Sequence, residues 1–202
     1  MWTRNYYNLL TAALLCDTSV TGNSTPTDYA PPIRIKAPNG SYYPARVMEN
    51  VYESHVPENL NDLFALGKNK CNIYYGSSAD HNEDFLVGFG TGTAGETYDD
   101  YTLTIANGFS IGSNYGTREE ATALTPPKTL AGKRSYTITR TGAAVDITEF
   151  GIFVPAAYQS SSYDYVALVY RKKFDTPIHF DTGDSFKLVF NRHGDVFNYT
   201  PY

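Results

Sequence analysis

The second half of the chain alternates apolar and polar residues with the period of β-strands that bury one face. Residues 135–141 (SYTITRT) and 148–154 (TEFGIFV) follow this period, and we expect Pro155 to end the second of these strands. Residues 163–170 (YDYVALVY) are apolar on both sides, which is typical of a central strand covered on both faces. The pattern therefore predicts a series of short strands.

The carboxyl-terminal end continues this series. A turn at residues 181–184 (DTGD) precedes a last strand, in which Phe186, Leu188 and Phe190 face inward and Lys187 faces outward. Strands at this spacing, joined by Gly- or Ser-rich turns, predict a mainly all-β fold with an antiparallel β-sandwich or jelly-roll-like domain.

The amino-terminal residues show the helical period instead of the strand period. Five residues recur at helical spacing and predict a short amphipathic helix over residues 4–16. They are Tyr6, Leu9, Leu10, Ala13 and Leu14. An apolar stripe this short is marginal alone and must dock, either on its own domain or on a neighbouring copy. We take these five side chains as the candidate subunit interface.

The polar run at residues 17–32 has no periodicity and predicts an extended arm. We therefore divide the chain into a helix and arm over residues 1–32 and a β-sandwich domain over residues 33–202. Within the second part, residues 33–84 are either a separate domain or an elaboration of the sandwich.

Residues 33–84 contain shorter signals. Residues 33–36 alternate like a strand, and a Pro-Asn-Gly turn at 38–40 predicts a small hairpin. Residues 59–66 predict one or two turns of helix that end at Gly67. Strand-like runs at 71–75 and, just beyond this region, at 85–89 complete the predicted elements.

The composition limits the kinds of partner that the protein can bind. A net charge of −5 argues against a nucleic-acid partner, which requires a cationic surface. The one dense basic group, Arg171-Lys172-Lys173, is interpreted as a solvated strand end. The 18 tyrosines suit strands with one wet face and surfaces that contact other proteins.

The amino-terminal run LLTAALL before Cys16 is too short to span a bilayer and has polar flanks, so we predict neither a signal peptide nor a membrane segment. We expect the protein to be made and used in the cytosol, or inside a particle assembled there. Cys16 and Cys71 lack zinc-ligand spacing and are expected to be buried free thiols.

Several patterns invite a chemical interpretation. The glycines at 88–92 are not followed by a helix, so we interpret them as a strand end entering a wide turn rather than a phosphate loop. The acidic residues at 80–84 and 99–100 lack calcium-loop spacing and are interpreted as solvated loops. Asp146 and Glu149 are candidates for a glycosidase pair, but we favour an edge or inter-strand role for Glu149.

The four histidines are isolated from one another, and no nucleophile motif is present. We therefore predict no catalytic residue, no cofactor and no metal site, and a protein that is not an enzyme.

Two segments carry a resemblance to a known class of proteins. Residues 85–103 (FLVGFGTGTAGETYDDYTL) combine a glycine-rich turn with Asp-Asp-Tyr-x-Leu. Residues 146–191 contain, in order, Thr-Glu-x-Gly-Ile-Phe from Thr148, Leu-x-x-Arg from Leu168, an aromatic residue before Pro-Ile at Phe174, and Gly-Asp-Ser from Gly183. This order resembles that of virion structural proteins of tailed bacteriophages.

The resemblance implies a structural component of the collar, tail or head-fibre region that acts through subunit assembly. Its partners would be copies of itself and neighbouring virion proteins, and its location would be the virion, assembled in the host cytoplasm. The helix and arm at residues 1–32 would then clasp an adjacent subunit. Their deletion would impair assembly and leave the melting temperature of the β domain nearly unchanged.

The alternative is a receptor- or glycan-binding module in which exposed tyrosines such as Tyr98, Tyr163 and Tyr165 stack on sugars. Tyrosines are also enriched in strands, where packing within the sheet accounts for them.

Overall fold

Strand periodicity corresponds to strand structure over more than half of the residues that the structure describes. A computed structural model of the protein describes residues 1–15, 33–45, 70–76, 78–80, 85–120, 130–160 and 163–194. The elements are α1 Arg4–Leu15, β1 Arg34–Lys36, β2 Tyr42–Pro44, β3 Cys71–Ile73, β4 Ala79–Asp80, β5 Phe85–Gly90, β6 Phe109–Ile111, β7 Thr117–Glu120, β8 Leu130–Arg140, β9 Val145–Tyr158, β10 Tyr163–Phe180 and β11 Ser185–Gly194.

The strands form three sheets. β1 and β2 make a hairpin, and the five-stranded sheet has the order β3-β5-β9-β10-β4. The third sheet has the order β11-β8-β6, with β7 also paired to β8. These pairs are antiparallel except for β3 and β5, which are parallel. The predicted mainly all-β, sandwich-like fold is therefore confirmed, with one short helix at the amino terminus.

The main core lies between the two larger sheets. Phe89 of β5 contacts Phe109 of β6, with ring centroids 4.6 Å apart, and Phe186 of β11 at 5.5 Å. Phe85, also on β5, meets Tyr136 of β8 edge to face. Such pairs add about 0.5–1.5 kcal/mol beyond the apolar area that they bury, so these contacts fix how the sheets stack.

A second apolar cluster covers the other face of the five-stranded sheet. It includes Leu103, Phe153, Val166 and Leu168, whereas Val169 and its neighbours on β10 belong to the main core. The prediction that residues 163–170 are covered on both faces is therefore confirmed. The segment that carries Leu103 folds over this face and brings the loop at residues 91–104 against β9 and β10.

Several predicted elements are confirmed with longer bounds, and one boundary is wrong. β9 does not end at Pro155 but continues to Tyr158. Its pairing with β5 has already ended at Phe153, and its pairing with β10 shifts register between Tyr165 and Val166, opposite this point. The missing N–H of proline therefore falls at a bulge, where a strand tolerates it.

The other predictions for the first 84 residues have mixed outcomes. The hairpin is confirmed, and Gly40 supplies the positive φ of 84° that its turn requires. The arm at 17–32 and the predicted helix at 59–66 lie outside the described residues. Cys71 is buried and is not in a disulfide, as expected, whereas Cys16 is not among the described residues.

Helix α1 docks on its own chain and contributes to the main core, so the expectation that deleting residues 1–32 leaves the melting temperature of the β domain nearly unchanged is wrong. Leu9 is 1% exposed and belongs to the main core. The Asn5 side chain accepts a hydrogen bond from Lys36 N and donates one to Lys36 O, both at 2.8 Å, so it continues the edge of β1. Before the helix, Thr3 N donates to Val169 O at 3.0 Å, which adds a short extended segment to the edge of β10.

Candidate functional site

A buried charge network joins β9, β10 and the loop at residues 91–104. The Arg171 side chain is 6% exposed and the Glu149 side chain 1%. Arg171 Nε donates to Glu149 Oε2 at 2.8 Å, and Nη2 forms an ion pair with the same oxygen at 2.7 Å. Arg171 Nη1 donates to Asp100 Oδ2 at 2.7 Å. Buried charges are retained in proteins when they are paired and hydrogen-bonded in this way.

The rest of the guanidinium holds the loop backbone. Arg171 Nη1 also donates to Gly95 O at 2.9 Å, and Nη2 donates to Ala94 O at 3.0 Å. Each of the three guanidinium nitrogens therefore donates at least one hydrogen bond within the chain. Arg171 therefore clamps the loop onto the sheet.

Glu149 is held as completely as Arg171. Its Oε1 accepts hydrogen bonds from Gly92 N at 3.1 Å and Thr104 N at 2.7 Å, while Oε2 faces Arg171. A Cβ atom at Gly90 would lie 2.5 Å from Oε1, and one at Gly92 would overlap the same oxygen. Gly90 and Gly92 therefore lack a side chain because the Glu149 carboxylate occupies the space beside them. A phosphate-binding role is not needed to explain them.

Asp100 closes the loop. Its Oδ2 accepts from Thr97 N at 2.8 Å, and its Oδ1 accepts from the Thr97 hydroxyl at 2.7 Å. Burial alone would raise the pKa of Asp100, but the hydrogen bonds from Thr97 and Arg171 outweigh it and hold the pKa below its usual range. Burial would also lower the pKa of Arg171, and the bonds to Asp100 and Glu149 raise it instead. Both groups are therefore charged across the neutral range.

Two interpretations from the sequence are corrected by this network. Arg171 is not part of a solvated strand end, although its neighbour Lys172 is half exposed. Asp100 is not in a solvated acidic loop, because its side chain is only 15% exposed and is paired with Arg171. Asp99 is exposed as expected and pairs with Arg4 at 2.6 Å.

The sequence did contain a signal for the network. Glu149 alternates with Gly151 and Phe153 on a covered face of β9, and Arg171 directly follows the apolar run of β10. A charge at such a position requires a partner of opposite sign. The predicted inter-strand role of Glu149 agrees with this geometry: Glu149 lies opposite Lys173 on β10 and bonds to Arg171, two residues away.

Asp146 and Glu149 do not form the carboxylate pair that a glycosidase would need. Its carboxylate is exposed and contacts His179 Nδ1 at 2.7 Å, while Glu149 is buried among loop donors. Hydrogen bonds to Asp146 and then Asp181 raise the pKa of the His179 imidazole. Within the described ranges, no group of three or more His, Cys, Asp or Glu side chains is arranged to hold a metal ion. Residues 81–84 of the acidic run lie outside those ranges.

A groove of about 290 Å³ lies between α1, the β1-β2 hairpin and the loop at 91–104. Lys36 Nζ lies 3.8 Å from the centre of the Tyr101 ring, and the Arg4 guanidinium lies 5.1 Å from that of Tyr98. The lining residues are Arg4, Asn5, Asn8, Lys36, Tyr42, Asp99, Asp100 and Tyr101. Amide, cationic and aromatic groups are thus brought together on one surface.

The tyrosines singled out in the sequence do not share a site. Tyr98 stands beside this groove and is 43% exposed, and Tyr163 is 49% exposed at the start of β10. Tyr165 is half-buried because it stacks on Tyr43 with ring centroids 3.8 Å apart. For Tyr165, packing within the domain accounts for the side chain, and its predicted exposure is wrong.

The five residues of the candidate subunit interface separate into different environments. Leu9 is buried in the core of its own chain, Tyr6 is half-buried and stacks on Trp2, and Leu10 is 36% exposed. The side chains of Ala13 and Leu14 are outside the described residues. A contact with another subunit through α1 would therefore use the side of the helix that carries Leu10, and the interface stays a prediction.

Comparison of the chain with protein-family models, curated proteins and solved structures found no match. In the part of the chain that the structure describes, no helix has the length and apolar character needed to cross a membrane.

Proposed function

We propose that this protein is a structural component of a tailed-phage virion, of the collar, tail or head-fibre region, and that it acts through subunit assembly. Its partners would be copies of itself and neighbouring virion proteins. In this role the β-sandwich is a scaffold, and its exposed surfaces carry the contacts.

One observation carries the proposal. The short sequence elements that resemble phage structural proteins supply the three charged groups of the buried network. Asp100 comes from Asp-Asp-Tyr-x-Leu, Glu149 from Thr-Glu-x-Gly-Ile-Phe and Arg171 from Leu-x-x-Arg, and the three side chains bond to one another. Sequence elements that lie far apart thus act together to fix the loop at residues 91–104 on the sheet.

The same network supports a structural role over a catalytic one. A catalytic carboxylate or guanidinium needs a donor or acceptor free to meet the substrate. Here all three guanidinium nitrogens of Arg171 and both oxygens of Glu149 are engaged within the chain. The most concentrated set of charges in the described chain is therefore used to hold the fold.

The groove beside α1 favours a second candidate, a receptor- or glycan-binding module. Tyr42 and Tyr101 line it together with the amide side chain of Asn8, and Tyr98 presents an exposed ring beside it. Aromatic faces and amides are suitable groups for stacking on and hydrogen bonding to a sugar.

Light scattering coupled to size exclusion, together with a glycan array, separates the two functions. Subunit assembly predicts a ring-sized or fibre-sized oligomer and no specific retention on glycans. Glycan binding predicts a signal on the array that Tyr98→Ala and Tyr42→Ala abolish and that Tyr163→Ala, at an exposed position that does not line the groove, leaves unchanged. A monomer with such a signal would overturn the assembly proposal.

A further inference from the structure

Two long strands, β10 and β11, have an outer edge that their own sheets leave without a neighbouring strand over most of its length. Such an edge exposes a row of backbone N–H and C=O groups and pairs readily with another strand. Proteins that remain monomeric protect it with a covering segment, a proline, a bulge or inward-pointing charges. The two strands differ sharply in this respect.

The outer edge of β10 is protected along its length. β4 pairs with its first residues, and Thr3 N donates to Val169 O. Further along, Lys173 N donates to Glu96 Oε1 at 2.8 Å. Beyond it, Pro177 lies within a register shift, and a proline offers no N–H to an incoming strand.

Among the described residues, the outer edge of β11 has none of these protections, although it carries an exposed lysine, Lys187, a side chain that also opposes edge pairing. Its pairing with β8 runs from Ser185 to Gly194 without a register shift, and it contains no proline. Among the described residues, no strand and no side chain bonds to the outer edge of β11. The edge is therefore long and regular, and no part of the chain that the structure describes covers it.

The direction of the open backbone groups follows from the ladder on β8. Gly112 N donates to Thr137 O, so the backbone of Thr137 faces β6 and turns away from Lys187, its partner on β11. Arg140 N donates to Asp184 O, so the alternate positions face β11. Because an antiparallel ladder alternates in this way, the N–H and C=O of Lys187 and Val189 point outward.

The side chains on this strand are also incompletely covered. Phe186, Leu188 and Phe190 face the main core but remain only half-buried. By contrast, Tyr136 and Ile138, their neighbours on β8, are 1% and 0% exposed. A further strand beside β11 would cover the uncovered sides of these three residues.

We propose that a second copy of this chain occupies the edge, through antiparallel pairing of β11 with β11 about a two-fold axis at Val189. Val189 is the central position whose backbone groups face outward, and its apolar side chain is 38% exposed. Such an axis places Val189 opposite Val189, Leu188 opposite Phe190 and Lys187 opposite Asn191. No like charges oppose one another, and the apolar pairs meet at the centre, which is what cross-strand pairing favours.

β11 supplies one contact of the proposed subunit assembly, and the inference rests on that proposed function. Its test is light scattering of the full chain over a concentration series. The wild type is expected to form a species of twice the monomer mass or a multiple of it.

Val189→Pro removes an outward N–H from each copy without touching the β8 ladder. It should raise the dissociation constant about 10- to 100-fold, since two hydrogen bonds are lost. Val189→Thr keeps the N–H and the β-branched shape and should associate like the wild type.

A second variant guards against misfolding of the proline variant. Val189→Lys leaves the backbone intact and places two like charges opposite each other at the axis, which should weaken association by up to about fivefold. Melting curves of each variant, measured below the association range, should match the wild type.

Cysteine cross-linking tests the register. In a Cys16→Ser background, oxidation should link Val189→Cys to itself, because opposite residues at the axis lie about 5.5 Å apart between Cα atoms. Lys187→Cys should link to Asn191→Cys when the two variants are mixed, and not to itself.

The outcomes separate the inference from the proposed function. An oligomer whose mass and affinity are unchanged by both Val189→Pro and Val189→Lys overturns the β11 contact and leaves assembly through another surface standing. A wild type that stays monomeric at all concentrations also overturns it. Association through β11 by a chain that is absent from virions would support the contact and contradict the proposed function.

Discussion

Arg171→Met tests the buried charge network most sharply. The substitution leaves the Glu149 carboxylate, 1% exposed, with only the two backbone donors Gly92 N and Thr104 N. The carbonyl oxygens that Arg171 bonds in the loop at 91–104 also lose their donor. Removing one partner of a buried ion pair costs about 3–5 kcal/mol, because the other charge stays buried without compensation.

Urea unfolding followed by tryptophan fluorescence or circular dichroism measures this loss as a difference in the free energy of unfolding. For a chain of this length, that difference corresponds to a fall in melting temperature of roughly 6–20 °C. Arg171→Lys keeps a positive charge but has three donors in place of five, so its cost should be intermediate.

Lys172→Ala is the matched control. Lys172 is the next residue on the same strand, its side chain is 50% exposed, and its ion pair with Glu96 is 3.4 Å long. Exposed pairs contribute about 0–1 kcal/mol. If Arg171→Met and Lys172→Ala lower the free energy of unfolding by amounts within 1 kcal/mol of each other, the network does not hold the fold in the way we describe.

Three further predictions follow from single contacts. Gly92→Ala should destabilise the fold by about 1–3 kcal/mol in urea unfolding, because its Cβ overlaps the Glu149 carboxylate. An NMR titration should give His179 a pKa above its ordinary value of about 6.5, and Asp146→Asn should lower it. Leu9→Ala should cost about 2–5 kcal/mol, because Leu9 is buried in the main core.

Each of these predictions has a result that would contradict it. Gly95→Ala, which meets open space, should be nearly neutral, and equal costs at Gly92 and Gly95 would exclude the proposed overlap. Leu10→Ala should cost far less than Leu9→Ala; the reverse order would mean that α1 docks through its other side. A His179 titration unmoved by Asp146→Asn would exclude their contact in solution.

The sign of the His179 effect on stability follows from the raised pKa. The protonated imidazole is favoured by the fold, so its contribution to stability is complete below the unfolded pKa of about 6.5. It is lost as the pH rises through the higher pKa of the folded protein. Because the three side chains are exposed, this contribution is small.

The elements that sequence periodicity predicted best are those whose faces differ most in burial. In the last strand, the alternation of Phe186, Leu188 and Phe190 with Lys187 is a local pattern, and the structure reproduces it. The end of β9 was misjudged because Pro155 looks the same at a strand end and at a bulge. Only the pairing partners on either side, β5 and β10, distinguish the two cases.

The charge network was harder to predict because its members lie far apart in sequence. Asp100 and Arg171 are separated by 71 positions, and no local pattern indicates which acidic loop will meet which strand. Docking of α1 was undetermined for the same reason: the apolar stripe shows that the helix must be covered, but not by which surface.

Locating the protein in intact particles tests the central proposal most directly. Tailed particles of the phage that encodes this chain would be purified and analysed by quantitative mass spectrometry. The same particles would be labelled with gold-conjugated antibodies against the protein. A virion structural protein predicts a fixed copy number per particle and labelling confined to the collar, tail or head fibres. Absence of the chain from particles that are otherwise complete and infectious would contradict the proposal.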